Sequence, residues 1–229
     1  MKQLLLDISP IAPPSLENFV PGRNVELFQI LENILSGSEK ERFIYLWGEN
    51  GSGKSHILQA MTESFKLNKL DAVYIDCNIW QKNNTDSSII NDINCITIDN
   101  VDHLNASMQI KLFNIYNHIR DECSSLMLVS GSVAPSQLNL REDLVTRLGW
   151  GLVYQIHVLS DDEKIQAMKE HAKKKGFELP QDVCNYLLRH IKRDLPSLIA
   201  TLDALDLLSL REKRPITIPM LRKLLLPTT

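Results

Sequence analysis

The residues best suited to chemistry stand between Gly48 and His56. Gly48-Glu49-Asn50-Gly51-Ser52-Gly53-Lys54-Ser55 has the spacing of glycines, lysine and hydroxyl that cradles phosphate in P-loop proteins. Its glycines let successive backbone N–H groups curl around phosphate oxygens. Lys54 brings a point charge toward the β and γ positions, and Ser55 offers a hydroxyl to Mg2+. A helix starting at Lys54 would turn its positive end toward the same anion. The expected cofactor is therefore ADP or ATP, with Mg2+.

A second candidate is Asp99, which ends the apolar run Cys95-Ile-Thr-Ile-Asp99. An aspartate at the end of a buried strand, downstream of a phosphate cradle, can hold the water shell of Mg2+. The alternative is an aspartate that only starts a turn. The next residue is Asn100, whose amide cannot act as a base toward an attacking water. Slow or absent hydrolysis in this chain's own site is expected. Asp102 could substitute only through an unusual strand ending.

These residues need a scaffold of alternating elements. Apolar positions from Asn24 to about Leu35 recur at helical spacing, and Phe43–Trp47 is a short apolar run that predicts a buried strand. Helices are predicted from Lys54 to about Phe65 and from Ser107 to Arg120. Further strands are expected at 72–76, 95–99, 125–130 and 152–159. The expected class is α/β, a mostly parallel five-stranded sheet covered on both faces by helices. From Ser160 the pattern is helical only. Ser160-Asp-Asp-Glu163 has capping-box spacing, opening a helix that closes near Gly176. Pro180 starts the next helix, a third spans about Leu195 to Leu210, and Ile216–Pro219 reads as an extended piece before a short last helix. The expected organisation is a flexible tail over 1–18, an α/β base over 19–159 and a small all-helical lid over 160–229.

Composition narrows the function classes. The 229 residues are 44% hydrophobic and 23% charged, ordinary for a globular protein with a substantial core. A net charge of −3 argues against broad non-specific DNA binding, which needs a basic face. Cys77, Cys95, Cys123 and Cys184 are scattered without Cys-x-x-Cys or zinc spacing and read as reduced core or boundary residues, and the six histidines show no metal spacing. Trp47, Trp80 and Trp150 read as core or packing residues. No membrane span or secretory leader is evident, so a cytoplasmic location is expected.

Four pieces occur in an order that points to a family: Phe19-Val20-Pro21-Gly22-Arg23-Asn24 ahead of a helix, the cradle, Ile98-Asp-Asn-Val-Asp102, and Leu144-Val-Thr-Arg-Leu-Gly-Trp-Gly-Leu152. Over nearly its whole length the chain resembles the nucleotide-binding AAA+ domain of the bacterial replication initiator DnaA. It is more similar still to the Hda branch of that family, the DnaA regulatory inactivators. The last piece discriminates best, because no general P-loop rule requires it.

The resemblance implies several roles. Val20, Pro21 and His56 join Gly48–Ser55 in holding the nucleotide. Arg147 matches the arginine finger that AAA+ proteins extend into a neighbour's nucleotide site, with Arg141 a weaker candidate. Ser130 matches a first sensor near the γ-phosphate, although a strand-end serine capping backbone fits as well. Pro196 stands where the lid's second-sensor arginine is usual, and Arg193 is three residues earlier. Gln3-Leu4-Leu5-Leu6-Asp7-Ile8 resembles a peptide that binds the sliding clamp, the β subunit of DNA polymerase III. Leu4, Leu6 and Ile8 would enter an apolar groove and Gln3 would make directed hydrogen bonds. Asp7 departs from the more apolar residue usual there. The chain's ending at Thr229 is expected to leave out the DNA-binding domain that follows the lid in DnaA.

The function implied is regulation of replication initiation. The chain would bind ADP and the DNA-loaded clamp, and stimulate hydrolysis of DnaA-bound ATP through Arg147. DnaA and the clamp are the expected partners, DNA contact is indirect through the clamp, and a homo-oligomer is open. The alternatives are an autonomous AAA+ ATPase acting as a loader or remodeller, against which Asn100 argues, and a nucleotide-stabilised adaptor without chemistry.

Overall fold

The computed structural model describes residues 13–80, 93–122 and 125–225; the tail residues Gln3, Leu4, Leu6 and Ile8, together with Cys123, lie outside them. The described residues divide along the chain into two compact units, 13–158 and 159–225.

In the first unit, helices and strands alternate: α1 (Val25–Leu35), β1 (Phe43–Trp47), α2 (Lys54–Leu67), β2 (Ala72–Asp76), the single turn α3 (Cys77–Trp80), β3 (Cys95–Asp99), α4 (Ala106–Glu122), β4 (Leu126–Gly131), α5 (Glu142–Leu148) and β5 (Leu152–Gln155). The five strands form one parallel sheet in the order β2-β3-β4-β1-β5. Side chains on successive strand residues point to opposite faces. Tyr45, Ile96, Ile98, Met127 and Val129 therefore pack with Leu112, Ile115 and Leu144 of α4 and α5. Ile44, Leu46, Cys95 and Leu128 pack on the other face with Leu27, Leu31, Ile57, Leu58 and Met61 of α1 and α2. Both faces are covered, which is why these strands read as nearly continuous apolar runs.

Strand β5 is shorter than its apolar sequence predicts. It pairs with β1 only over Leu152–Gln155. Beyond it, the buried amide of Asn24 takes both backbone groups of His157, accepting from its N–H at 2.8 Å and donating to its carbonyl at 3.1 Å. Those groups are thus withdrawn from any ladder. The same Asn24 amide donates to Pro21 at 3.0 Å, so residues 21–24 are fixed to the end of β5. Residues 13–18, assigned to the tail by the sequence reading, include a turn in which Leu16 packs on the core and the Ser15 carbonyl lies 2.9 Å from His56 Nε2.

The second unit contains α6 (Asp161–Lys174), α7 (Gln181–His190), α8 (Leu195–Glu212) and α9 (Ile218–Leu225) around Met168, Val183, Leu187, Leu198, Leu202 and Leu221. The capping box is complete: Glu163 N–H donates to Ser160 Oγ at 3.2 Å, and Ser160 N–H donates to the Glu163 carboxylate at 2.7 Å. Gly176, at φ +86°, follows the helix where L-residues are strained. The extended piece predicted at Ile216–Pro219 is not a strand. Ile218 and Pro219 open α9, where a proline in the first turn forfeits no hydrogen bond. No helix among the described residues is long and apolar enough to cross a membrane.

Candidate nucleotide and arginine sites

In a parallel sheet every strand ends on the same edge, and Gly48, Asp76, Asp99 and Ser130 are brought together there. From the end of β1 the chain crosses by α2 to the far strand β2, whereas β5 lies on the opposite side, so the cradle opens where the winding reverses.

The cradle follows β1 directly. Gly48 has φ +150°, and a Cβ there would stand 2.3 Å from the Ile156 carbonyl oxygen. Gly53, at φ +101°, precedes α2, and a Cβ there would meet the Phe19 ring at 2.8 Å. Both glycines are thus imposed by backbone conformation and by space. Lys54 Nζ donates to the carbonyls of Gly48 and Glu49 at 2.7 and 2.9 Å, which holds its charge over the loop. Burial lowers the Lys54 ammonium from its ordinary value, opposed by Asp99 and Asp102. Ser52 Oγ is buried without a hydrogen-bond partner. An orphaned hydroxyl in a loop of left-handed glycines fits a cradle that receives an anion. Ser55 is exposed in the first turn of α2.

Asp99 is 1% exposed and tightly held. Ser130 Oγ donates to its Oδ1, and Tyr74 OH donates to its Oδ2 at 2.8 Å. Burial, reinforced by the bond to Asp99 and opposed by one to Gln59, pushes the Tyr74 phenol above its ordinary range. Ser130 also accepts from Asn100 N–H at 3.1 Å. Its hydroxyl is therefore committed to Asp99 and to the following backbone, the capping arrangement left open by the sequence. Asn100 adopts left-handed φ +61°, ψ +48°, which asparagine tolerates better than most residues. Its side chain turns to β2, donating to Asp76 Oδ1 at 3.2 Å. Asp102 does not replace it; its carboxylate receives the N–H and the hydroxyl of Ser132, each at 2.8 Å.

Arg147 lies in the last turn of α5, far along the chain from the cradle. Its guanidinium carbon is 4.1 Å from the centre of the Trp150 ring and 5.7 Å from that of Phe113. Arg141 is engaged locally, with Nη2 2.7 Å from Asp143 Oδ2. The expectation that Trp150 is a core or packing residue needs correction, since the residue is 57% exposed and its ring carries Arg147. In the helical unit, Pro196 sits in the first turn of α8, whose N-cap Asp194 accepts from Ser197 N–H at 2.9 Å. Arg193 donates from Nε to the Leu188 carbonyl at 3.3 Å.

Residues 14–155 match the family model described as the bacterial DnaA ATPase domain. The chain belongs to that family. Residues 161–225 match the model described as the Hda lid domain, so the helical unit is a lid of that type. An uncharacterised protein of Haemophilus influenzae is 33% identical over 98% of both chains. Among solved structures, AMPPCP-bound DnaA from Aquifex aeolicus has a TM-score of 0.71 at 22% identity, covering 88% of this chain and 67% of that one. Domain III of the Thermotoga maritima initiation protein DnaA has a TM-score of 0.70 at 20% identity, covering 95% and 98%. These likenesses fix the fold as a DnaA-type AAA+ base followed by a helical lid.

The hydrogen-bonding roles of Tyr74, Asp76 and Asn24 were not legible in the sequence. Each acts through a partner distant in the chain that only the strand pairing reveals. The β2–β3 register, which sets Asp76 against Asp99, was the signal that could have found the first two.

Proposed function

We propose that this protein is a DnaA-related regulator of replication initiation that promotes hydrolysis of ATP held by DnaA. The observation that carries the reading is an asymmetry in the site: the phosphate cradle is complete, but the residue after Asp99 is an amide turned away to Asp76. Such a site favours holding a nucleotide over hydrolysing it. Gly48–Ser55 would receive the phosphates of ADP or ATP, and Val20, Pro21 and His56 would flank the nucleotide. Ser55 and Asp99 would hold Mg2+, Asp99 through water. Mg2+ held there would supply positive charge against the phosphate oxygens.

Arg147 would act on the partner. In ATP hydrolysis, water attacks the γ-phosphorus and the bond to the β–γ bridging oxygen breaks, leaving ADP and phosphate. A guanidinium is planar and permanently charged, so it can stabilise the charge that develops on the transferring group and the leaving oxygen. The tail peptide with Gln3, Leu4, Leu6 and Ile8 would deliver the protein to the sliding clamp on DNA. The autonomous-ATPase alternative lacks the proton acceptor it needs next to Asp99.

The test mixes this protein with DnaA carrying bound ATP and clamp-loaded DNA, and follows phosphate release. Acceleration that weakens when Gln3–Ile8 is deleted supports the reading. Unchanged hydrolysis with DnaA still bound would leave an adaptor without chemistry.

A further inference from the structure

The segment Arg147-Leu-Gly-Trp-Gly151 was singled out from the sequence because nothing in phosphate binding requires it. Its geometry assigns each residue a task. Gly149 ends α5 with its N–H donating to the Val145 carbonyl, and Trp150 N–H donates to the Arg147 carbonyl at 3.1 Å. This tight turn brings the indole back beneath the side chain three residues earlier. Gly151 then passes so close to β1 that a Cβ would lie 2.0 Å from the Phe43 carbonyl oxygen. The backbone is pinned on one side, and Trp150 stands on the outer surface with the Arg147 guanidinium carbon over its ring. Arg120 lies 5.9 Å from the same ring centre and is itself paired with Asp121 at 2.6 Å. Arg147 Nη1 is buried without a hydrogen-bond partner.

We infer that Trp150 is a positioning residue for Arg147, a platform that holds the guanidinium flat and directed before it meets a partner-bound triphosphate. The inference rests on the proposed role of Arg147. A free arginine side chain has many rotamers, and the freezing of that freedom opposes any contact it makes. An aromatic face restricts the guanidinium plane without consuming its in-plane N–H donors, because the attraction is to the face of the ring. Nε and Nη2, which unlike Nη1 are not buried, therefore remain available for phosphate oxygens. Phe113 borders the guanidinium as well, so the group lies among aromatic rings.

The test uses the full chain in single-turnover hydrolysis of DnaA-bound ATP on clamp-loaded DNA, comparing Trp150→Leu, Trp150→Phe and Arg147→Ala. Half-saturating concentration and maximal rate are read separately, and thermal melting verifies folding. Trp150→Leu is expected to lower the maximal rate about tenfold or more with little change in half-saturation, since a positioning residue affects the reacting geometry. Trp150→Phe, which keeps an aromatic face, should recover most of the rate. If Arg147→Ala abolishes acceleration while Trp150→Leu retains it, the platform is wrong and the arginine role stands. If Arg147→Ala has no effect, the arginine role itself fails. A Trp150→Leu defect confined to half-saturation, or one not recovered by Trp150→Phe, would make the indole an ordinary contact residue.

Discussion

The side-chain amide of Asn100 donates to Asp76 Oδ1 across the ends of β3 and β2. The residue after the strand-end acid is thus bound sideways to the neighbouring strand, and its chemistry is that of a donor. Asp76 Oδ1 also receives the backbone and side-chain N–H groups of Asn78 at 3.0 and 2.9 Å.

Exchanging the two partners tests this relationship. Asn100→Asp alone sets two carboxylates against each other and is expected to destabilise the base by roughly 1–2 kcal/mol; adding Asp76→Asn restores a donor–acceptor pair, with a favourable coupling of about 1 kcal/mol in a double-mutant cycle. The doubly exchanged protein now carries a carboxylate after Asp99, and its own steady-state turnover should rise at least about tenfold. Chemical denaturation and phosphate release measure the two effects. Additive destabilisation with unchanged turnover would remove any chemical meaning from the pair.

The cradle glycines should differ in a fixed order. Gly48→Ala meets backbone at 2.3 Å and cannot be relieved by a side-chain movement, whereas Gly53→Ala meets only the Phe19 ring. Gly51 has φ +81° with nothing within 4 Å of the built Cβ. Gly51→Ala should therefore cost only about 1 kcal/mol, the ordinary penalty of a left-handed L-residue. Gly48→Ala should cost more than about 3 kcal/mol and Gly53→Ala an intermediate amount. Melting curves with and without nucleotide check the order.

Ser130→Ala removes the hydroxyl that links Asp99 to the Asn100 backbone. A buried carboxylate and an N–H both lose a partner, so a loss of about 2–3 kcal/mol is expected. Tyr74→Phe removes the other donor to Asp99 and should cost less, about 1–2 kcal/mol, because that side is less completely buried. Equal and negligible effects in denaturant titrations would show that Asp99 is not held as described.

The ease of reading varied with the range of the interactions. The cradle, the capping box at Ser160 and the strands β1, β2 and β3 were legible because their signals are local: a motif, a four-residue box, short apolar runs between polar turns. The end of β5 was not, since Ile156 and Val158 continue the strand-like alternation while Asn24, remote in sequence, captures His157. Helix α5 has only seven residues, too few for periodicity to emerge. The exposure of Trp150 was hidden because an indole suggests burial, whereas its setting is decided by Gly151 against Phe43. The roles of Tyr74 and Asp76 waited on strand pairing.

The lid carries its own pH signature. Asp203 accepts from His171 Nε2 at 2.6 Å and lies 2.8 Å from Lys175 Nζ. Burial by itself would raise its carboxyl, but the bonds from Lys175 and His171 outweigh it and hold the group below its ordinary value. A carboxylate depressed in the folded state stabilises fully above the unfolded value and loses that contribution as pH falls through the folded one. Lid stability should therefore decline below about pH 4. Asp203→Asn should flatten this acid limb and cost roughly 1 kcal/mol at neutral pH, allowing for partial solvent screening. Acid titration of helicity in both proteins measures it; identical acid limbs would assign the transition to other carboxylates.

The proposed action of Arg147 on a partner's nucleotide is decided by single-turnover hydrolysis of ATP pre-bound to DnaA, on clamp-loaded DNA, with the wild-type chain or Arg147→Ala. Acceleration by the wild-type chain of about a thousandfold or more is expected at saturation, with its loss in Arg147→Ala while DnaA binding is retained. Equal acceleration by the two proteins would contradict it.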